Sequence, residues 1–169
     1  YLPTWRDNND YRNSSSAKIA SGGGVLRDLS HELDLAQYFF GDWSELTASG
    51  GKFSNLEIET DDTFSILMQT KTCSALSIQL NYLDRIKQRK ITINGDNGTI
   101  NVDLISKTAQ FNETTQLFNL EIDHTYVAEH RAMIAKNATT MCTFDEALAV
   151  VETIGAIEKA SNKQKWIKR

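Results

Sequence analysis

The order of periodic segments predicts an α+β fold, a mostly antiparallel open sheet with helices packed on one face. A helical stripe near the start, a run of short strands through the middle and two helices at the end carry that expectation. Leu29, Leu33, Ala36 and Phe40 fall at i, i+4, i+7 and i+11, an amphipathic helix stopped by Gly41. His31, Asp34 and Tyr38 project from its opposite side, with Asp28 near the edge. Seven strands are expected, at Glu45–Phe53, Thr63–Thr70, Cys73–Tyr82, Lys90–Asn94, Thr99–Leu104, Thr108–Asn112 and Gln116–Asn119. The clearest hairpin sets Ile91 and Ile93 against Ile100 and Val102 across an Asn94–Gly98 turn. Serial strands with tight turns favour antiparallel pairing with one face covered.

A helix is expected over Asp123–Lys136, and a stronger one from Thr143, where Thr143 and Glu146 stand in capping-box positions. Its core stripe reads as Phe144, Leu148, Val151 and Ile154 or Gly155. The opening segment Tyr1–Ser21 is polar and irregular, yet Tyr1, Trp5 and Tyr11 suit a loop packed on the domain, with a short helix near Tyr11–Ala20.

A length of 169 residues suits one domain, and 40% hydrophobic with 24% charged residues is ordinary globular composition. A net charge of −4 argues against a general nucleic-acid binder, because phosphate affinity comes from clustered Lys and Arg. The basic runs Arg85–Lys90 and Lys163–Arg169 read as solvated surface. No apolar run is long enough to span a bilayer. Cys73 and Cys142 read as buried thiols of a reducing cytoplasm. No His/Cys cluster has metal-ligand spacing, and His124 and His130 read as surface imidazoles. Trp43 reads as loop packing and Asp61–Asp62 as a turn before a strand.

The stretch Ser21–Asp34, "SGGGVLRDLSHELD", poses the functional question. It lacks the G-x-G-x-x-G spacing of a dinucleotide fingerprint, and no Walker motif is present. Gly22–Gly24 would instead let the backbone approach a ligand before a helix carrying Asp28 and His31. A carboxylate beside an imidazole can orient it as a general base for a substrate hydroxyl. The competing reading makes the glycines a tight turn, Asp28 a cap or ion-pair partner and His31 a surface residue.

"GGGVLRDLSHELDLAQYFFG" resembles the signature opening the first helix of the C-terminal domain in Gfo/Idh/MocA oxidoreductases, GGG-x3-D-x3-H-x2-D with Gly ten residues after the His. His31, Asp34 and Gly41 keep that spacing, while only Leu29 and Ser30 separate Asp28 from His31, one residue short. The "DLSHE" form, with "YLPTWR" and "DYR" upstream, is similar to the bacterial branch associated with surface polysaccharides and nucleotide sugars. "NYLDR", "RKITINGDNGTINVD", "YVAEHRAMI" and "CTFDEALAVVETIGAIEKAS" resemble later family segments, so the likeness spans nearly the whole chain.

The resemblance implies a two-domain enzyme. An N-terminal Rossmann domain would bind NAD or NADP and supply a Lys, and the C-terminal domain would bind a sugar or nucleotide-sugar and form a homo-oligomer through its open sheet face. On that reading residues 1–169 are a single C-terminal domain lacking its first strand and the cofactor domain, inactive alone. Its parent is a cytoplasmic NAD(P)-dependent sugar dehydrogenase or reductase. The family's catalytic His maps onto His31, with Asp28 its partner or a sugar ligand. Gly23 and Gly24 would face the nicotinamide end of the cofactor. Trp5, Arg6, Tyr11 and Arg12 are candidate substrate contacts, where an arginine suits a diphosphate or carboxylate and packing is the competing role. The alternative from another class is a non-catalytic oligomerisation or carbohydrate-binding module of the same fold. A hydrolase using Asp28 and His31 has no nucleophile elbow or second carboxylate in its favour.

Overall fold

The computed structural model describes residues 1–6, 10–121, 123–137, 139 and 141–169; residues 7–9 of the opening loop lie outside the described residues. Two compact units form, one from Tyr1–Leu83 with Thr143–Arg169 and one from Asp84–Cys142. The fold is α+β with antiparallel sheets throughout, as expected, and the strands divide between two four-stranded sheets.

In the first unit, strands β1 (Trp43–Gly51), β2 (Thr63–Thr70) and β3 (Leu76–Asn81) pair in the order β3-β2-β1, and a short β8 (Ile167–Lys168) closes the other edge. The register places Leu46 opposite Met68 and Ile167, and Phe64 opposite Gly50 and Leu80. Because strand side chains alternate, Leu46, Phe64, Ile66, Met68 and Leu80 share one buried face. The other face carries Ser49, Ser65, Leu67, Ser77 and Gln79, all exposed.

Helix α3 (Ser30–Phe40) buries Leu33 and Ala36, the expected stripe, and ends at Gly41, whose N–H donates to Gln37 O at 2.7 Å. Helix α5 (Phe144–Lys163) begins with the expected capping box: the Glu146 N–H donates to Thr143 Oγ1, and the Thr143 N–H donates to Glu146 Oε2. Its core face differs from the expected one. Val150, Thr153, Ile154, Ile157 and Ala160 are buried, whereas Phe144 is 80% exposed and Leu148 and Val151 are exposed too. The helix is apolar on two faces, so periodicity alone selects no winner. The sheet selects the face that meets β1, where Ser161 Oγ accepts from Gly50 N and donates to Gly50 O.

Thr153 joins three elements. Its hydroxyl donates to Ala149 O at 2.7 Å and accepts from Trp43 Nε1 at 2.9 Å and Gln37 Nε2 at 2.6 Å. Trp43 is thus a buried strand residue rather than loop packing. Thr153→Val keeps the shape but leaves the buried indole N–H unpaired, so a loss of about 2 kcal/mol is expected. Urea unfolding followed by near-UV circular dichroism checks this, and an unchanged midpoint would show that the indole finds another acceptor.

The opening segment packs on this unit as expected. A single-turn α1 (Leu2–Trp5) buries Leu2, whose N–H donates to Tyr82 O, and three 3-10 turns replace the helix expected near Tyr11–Ala20. The expected turn at Asp61–Asp62 is an anchor. Asp62 is buried and accepts from Phe53 N, Ser54 N and Ser54 Oγ, while Asp61 Oδ2 accepts from Leu26 N.

The second unit holds strands β4 (Lys90–Gly95), β5 (Gly98–Asp103), β6 (Thr108–Phe111) and β7 (Thr114–Leu117) as a meander, plus α4 (His124–Ile134). Ile91 pairs with Val102 and Ile93 with Ile100, the expected hairpin register. His124 and His130 are exposed. Neither cysteine is the buried thiol expected: Cys73 is half-buried and Cys142 exposed. Among the described residues no helix is long and apolar enough to cross a membrane.

Candidate active site

The glycine run turns the chain from the last 3-10 turn into α2 (Val25–Asp28). A Cβ on Gly23 would stand 2.1 Å from Ser15 O, so only glycine passes there. Gly24 has φ +118°, and a Cβ on it would stand 2.3 Å from Asp61 Oδ1. Both glycines are buried, and the close approach they permit is to Ser15, Ser16 and Asp61 of this chain.

Leu29 breaks the expected single helix, so Asp28 closes α2 while His31 lies in the first turn of α3. This break separates their partners. Asp28 Oδ2 accepts the Tyr82 hydroxyl at 2.6 Å and lies 3.9 Å from Arg6 Nη2. His31 is half exposed, with Nε2 3.2 Å from Glu32 Oε1. Asp28 is thus paired with Tyr82 and Arg6, and the imidazole contacts Glu32.

Tyr82 follows β3 at the inward-facing parity of Leu80, which points its ring into the core and its hydroxyl at Asp28. Burial first, and then the Asp28 carboxylate, push the phenol far above its usual range, so it remains a hydrogen-bond donor. Burial likewise raises the neighbouring Asp61 carboxyl. Trp5 packs at 6.3 Å from the Tyr82 ring, and the Arg6 guanidinium lies 4.4 Å from the Trp5 centroid. Arg6 Nη2 also donates to Ser16 Oγ at 3.0 Å.

Of the expected site residues, Asp28, Trp5 and Arg6 come together around Tyr82. Tyr11 and Arg12 are engaged elsewhere: the Tyr11 hydroxyl accepts from Glu57 N, and Arg12 grips Asp10 and reaches Glu57. Tyr82 and Ser16 are the members that sequence reasoning missed; the alternation of β3 marks Tyr82 as inward, but nothing local names Asp28 as its partner.

Comparisons place this architecture. GenD2 from gentamicin A biosynthesis, solved with NAD, superposes with TM-score 0.75 at 21% identity, over 92% of this chain and 51% of that one. An oxidoreductase from Thermotoga maritima gives 0.76 at 17%, over 96% and 49%. The WlbA dehydrogenase from Bordetella pertussis, solved with NADH and UDP-GlcNAcA, gives 0.73 at 19%, over 100% and 52%. The chain therefore spans about half the length of these structures. No match was found among curated proteins. The shared fold agrees with the sequence profile described as GFO/IDH/MocA C-terminal domain, which matches residues 3–101 and covers most of the first unit, both glycines, Asp28, His31 and Tyr82. The chain belongs to the GFO/IDH/MocA C-terminal domain family.

Proposed function

We propose that this chain is the substrate-binding half of an NAD(P)-dependent oxidoreductase acting on a hydroxyl or keto group of a sugar or nucleotide-sugar, and that it is inactive without an N-terminal cofactor domain. The observation that carries the reading is the Asp28–Tyr82–Arg6 cluster beside the His31 helix, within the family's C-terminal domain. The NAD bound to GenD2 and the NADH bound to WlbA support the cofactor class, and the UDP-GlcNAcA bound to WlbA the nucleotide-sugar class.

NAD(P), held mainly by the N-terminal half, supplies the hydride acceptor or donor. The residues of this chain bind, orient and move a proton. His31 takes the proton from the reacting hydroxyl, with the Glu32 carboxylate beside its Nε2. Asp28 accepts a second sugar hydroxyl and is held in place by Tyr82. Trp5 and Arg6 line the substrate. Gly23 and Gly24 set the backbone path that brings Asp28 and His31 to the nicotinamide end. We place the parent enzyme in the bacterial cytoplasm, in polysaccharide or nucleotide-sugar metabolism, as a homo-oligomer through the polar sheet face of Ser65, Ser77 and Gln79.

Calorimetry of NAD and NADH with this chain and with the full-length parent, side by side, tests the division of labour. Binding by the parent alone is the expected result. Tight binding by this chain would put the cofactor site here and overturn the proposal, and binding by neither would favour a non-catalytic carbohydrate-binding module.

A further inference from the structure

Four arginines lie in the first unit, at positions 6, 12, 27 and 169. Three are neutralised at hydrogen-bond distance: Arg12 by Asp10 at 2.7 Å, Arg27 by Glu158 at 2.8 Å and Arg169 by Asp42 at 2.7 Å. Arg6 is different. Among the described residues its carboxylate neighbour is Asp28, which stands off at 3.9 Å because the facing oxygen takes the Tyr82 hydroxyl at 2.6 Å. Arg6 Nη2 is used by Ser16, and among the described residues the buried Nε and Nη1 have no partner. The side chain is nevertheless fixed, laid on a half-exposed Trp5, and 36% of it reaches solvent. A partly desolvated cation packed on an indole, with no carboxylate at hydrogen-bond distance among the described residues, is a preorganised receptor for an oxyanion.

We infer that Arg6 and Trp5 form the specificity subsite for a negatively charged substituent on the sugar, a carboxylate or a phosphate. Arg6 takes the oxyanion, and the sugar ring lies on the exposed part of the Trp5 indole. The sugar rests on the function proposed above, whereas the anion rests on the geometry of Arg6. Tyr82 has a defined part as a positioning residue: by occupying Asp28 Oδ2 it keeps that carboxylate from closing on Arg6 and competing with the ligand.

The test is calorimetry of this chain with D-glucuronate, D-glucose 1-phosphate, D-glucose and inorganic phosphate, with the arginine Nε–H resonances followed by NMR. At least one sugar anion should bind tenfold or more tighter than glucose, with an affinity that falls as salt rises. The tighter of the two assigns the anion to a uronate or to a phosphorylated sugar. Arg6→Gln should reduce anion binding to the glucose level, and Arg6→Lys, which keeps the charge but loses the fork, should weaken it with an unchanged melting temperature. Asp28→Asn, which weakens the same hydroxyl contact for glucose and for the sugar anions, should raise the preference for the anions over glucose severalfold by removing the competing carboxylate, and Tyr82→Phe should lower that preference. A purely structural cluster would not give these opposite signs.

Anion binding undiminished in Arg6→Gln, equal binding of glucose and the sugar anions, or no anion binding into the millimolar range overturns the inference. Inorganic phosphate binding as tightly as the sugar anions overturns the part given to Trp5. Absence of turnover in the full-length parent would count against the proposed function and leave these binding results standing.

Discussion

Replacing Asp62 by alanine is expected to destabilise the first unit by about 3–5 kcal/mol, because three donors lose a buried acceptor together. The side chain is fully buried, and its two oxygens accept from Phe53 N at 3.0 Å, Ser54 N at 2.9 Å and Ser54 Oγ at 2.6 Å. Its backbone is also committed, with the N–H donating to Gly51 O and the carbonyl accepting from Tyr82 N. Burial pushes the carboxyl up, but the hydrogen bonds from Ser54 and Phe53 outweigh it and hold the group below the usual carboxylate range. A depressed folded-state pKa contributes stability above the unfolded carboxylate pKa, and that contribution is lost as pH falls through the folded value. Urea unfolding at neutral pH and at successively lower pH should therefore show the variant approaching the parent chain as the solution becomes acidic. An equal midpoint for both at neutral pH would sink this account of the 51–62 loop.

In the full-length parent, His31→Ala should lower kcat by about two to four orders of magnitude, the usual range for a positioned general acid or base. Substrate KM and cofactor affinity should change far less. Folding should be indifferent, since the imidazole is half exposed and touches Glu32 rather than the core. The measurement is steady-state turnover on a sugar or nucleotide-sugar, with a thermal melt as the control. Unchanged turnover would remove His31 from the chemistry. A rise in KM with kcat unchanged would make it a binding group.

What the sequence disclosed follows from how local each feature is. Strand Thr63–Thr70, the Ile91/Val102 hairpin, the stop at Gly41 and the Thr143/Glu146 capping box are encoded within a few residues of themselves, and all appear as read. Strand β8 was hidden because two residues inside a basic tail carry no periodicity; Ile167 becomes a core residue only by pairing with Leu46. The division into two sheets was hidden for a related reason, since alternation says which face a strand buries and not which strand it joins. At the candidate site, the signature picks out Asp28 and His31 but not their partners. The break at Leu29 sends Asp28 to a tyrosine 54 positions away and leaves His31 with its own neighbour. Tyr11 and Arg12 look like substrate contacts by type and are occupied by Asp10 and Glu57, a competition no linear pattern reveals.

The first unit is discontinuous, interrupted after Leu83 and resumed at Thr143. During synthesis, β1, β2 and β3 leave the ribosome with their buried face bare, and Val150, Ile154, Ile157 and Ala160, which cover it, are made only after the whole of Asp84–Cys142 has been added. The edge of β1 stays unpaired longer still, until Ile167 arrives. A nascent chain in that interval exposes an apolar sheet and a free strand edge, the combination that invites aggregation and chaperone capture. The many contacts between residues more than a hundred positions apart, such as Trp43 with Thr153, also predict slow closure of this unit. The inserted unit, whose strands form a meander of sequence neighbours, is free to form first.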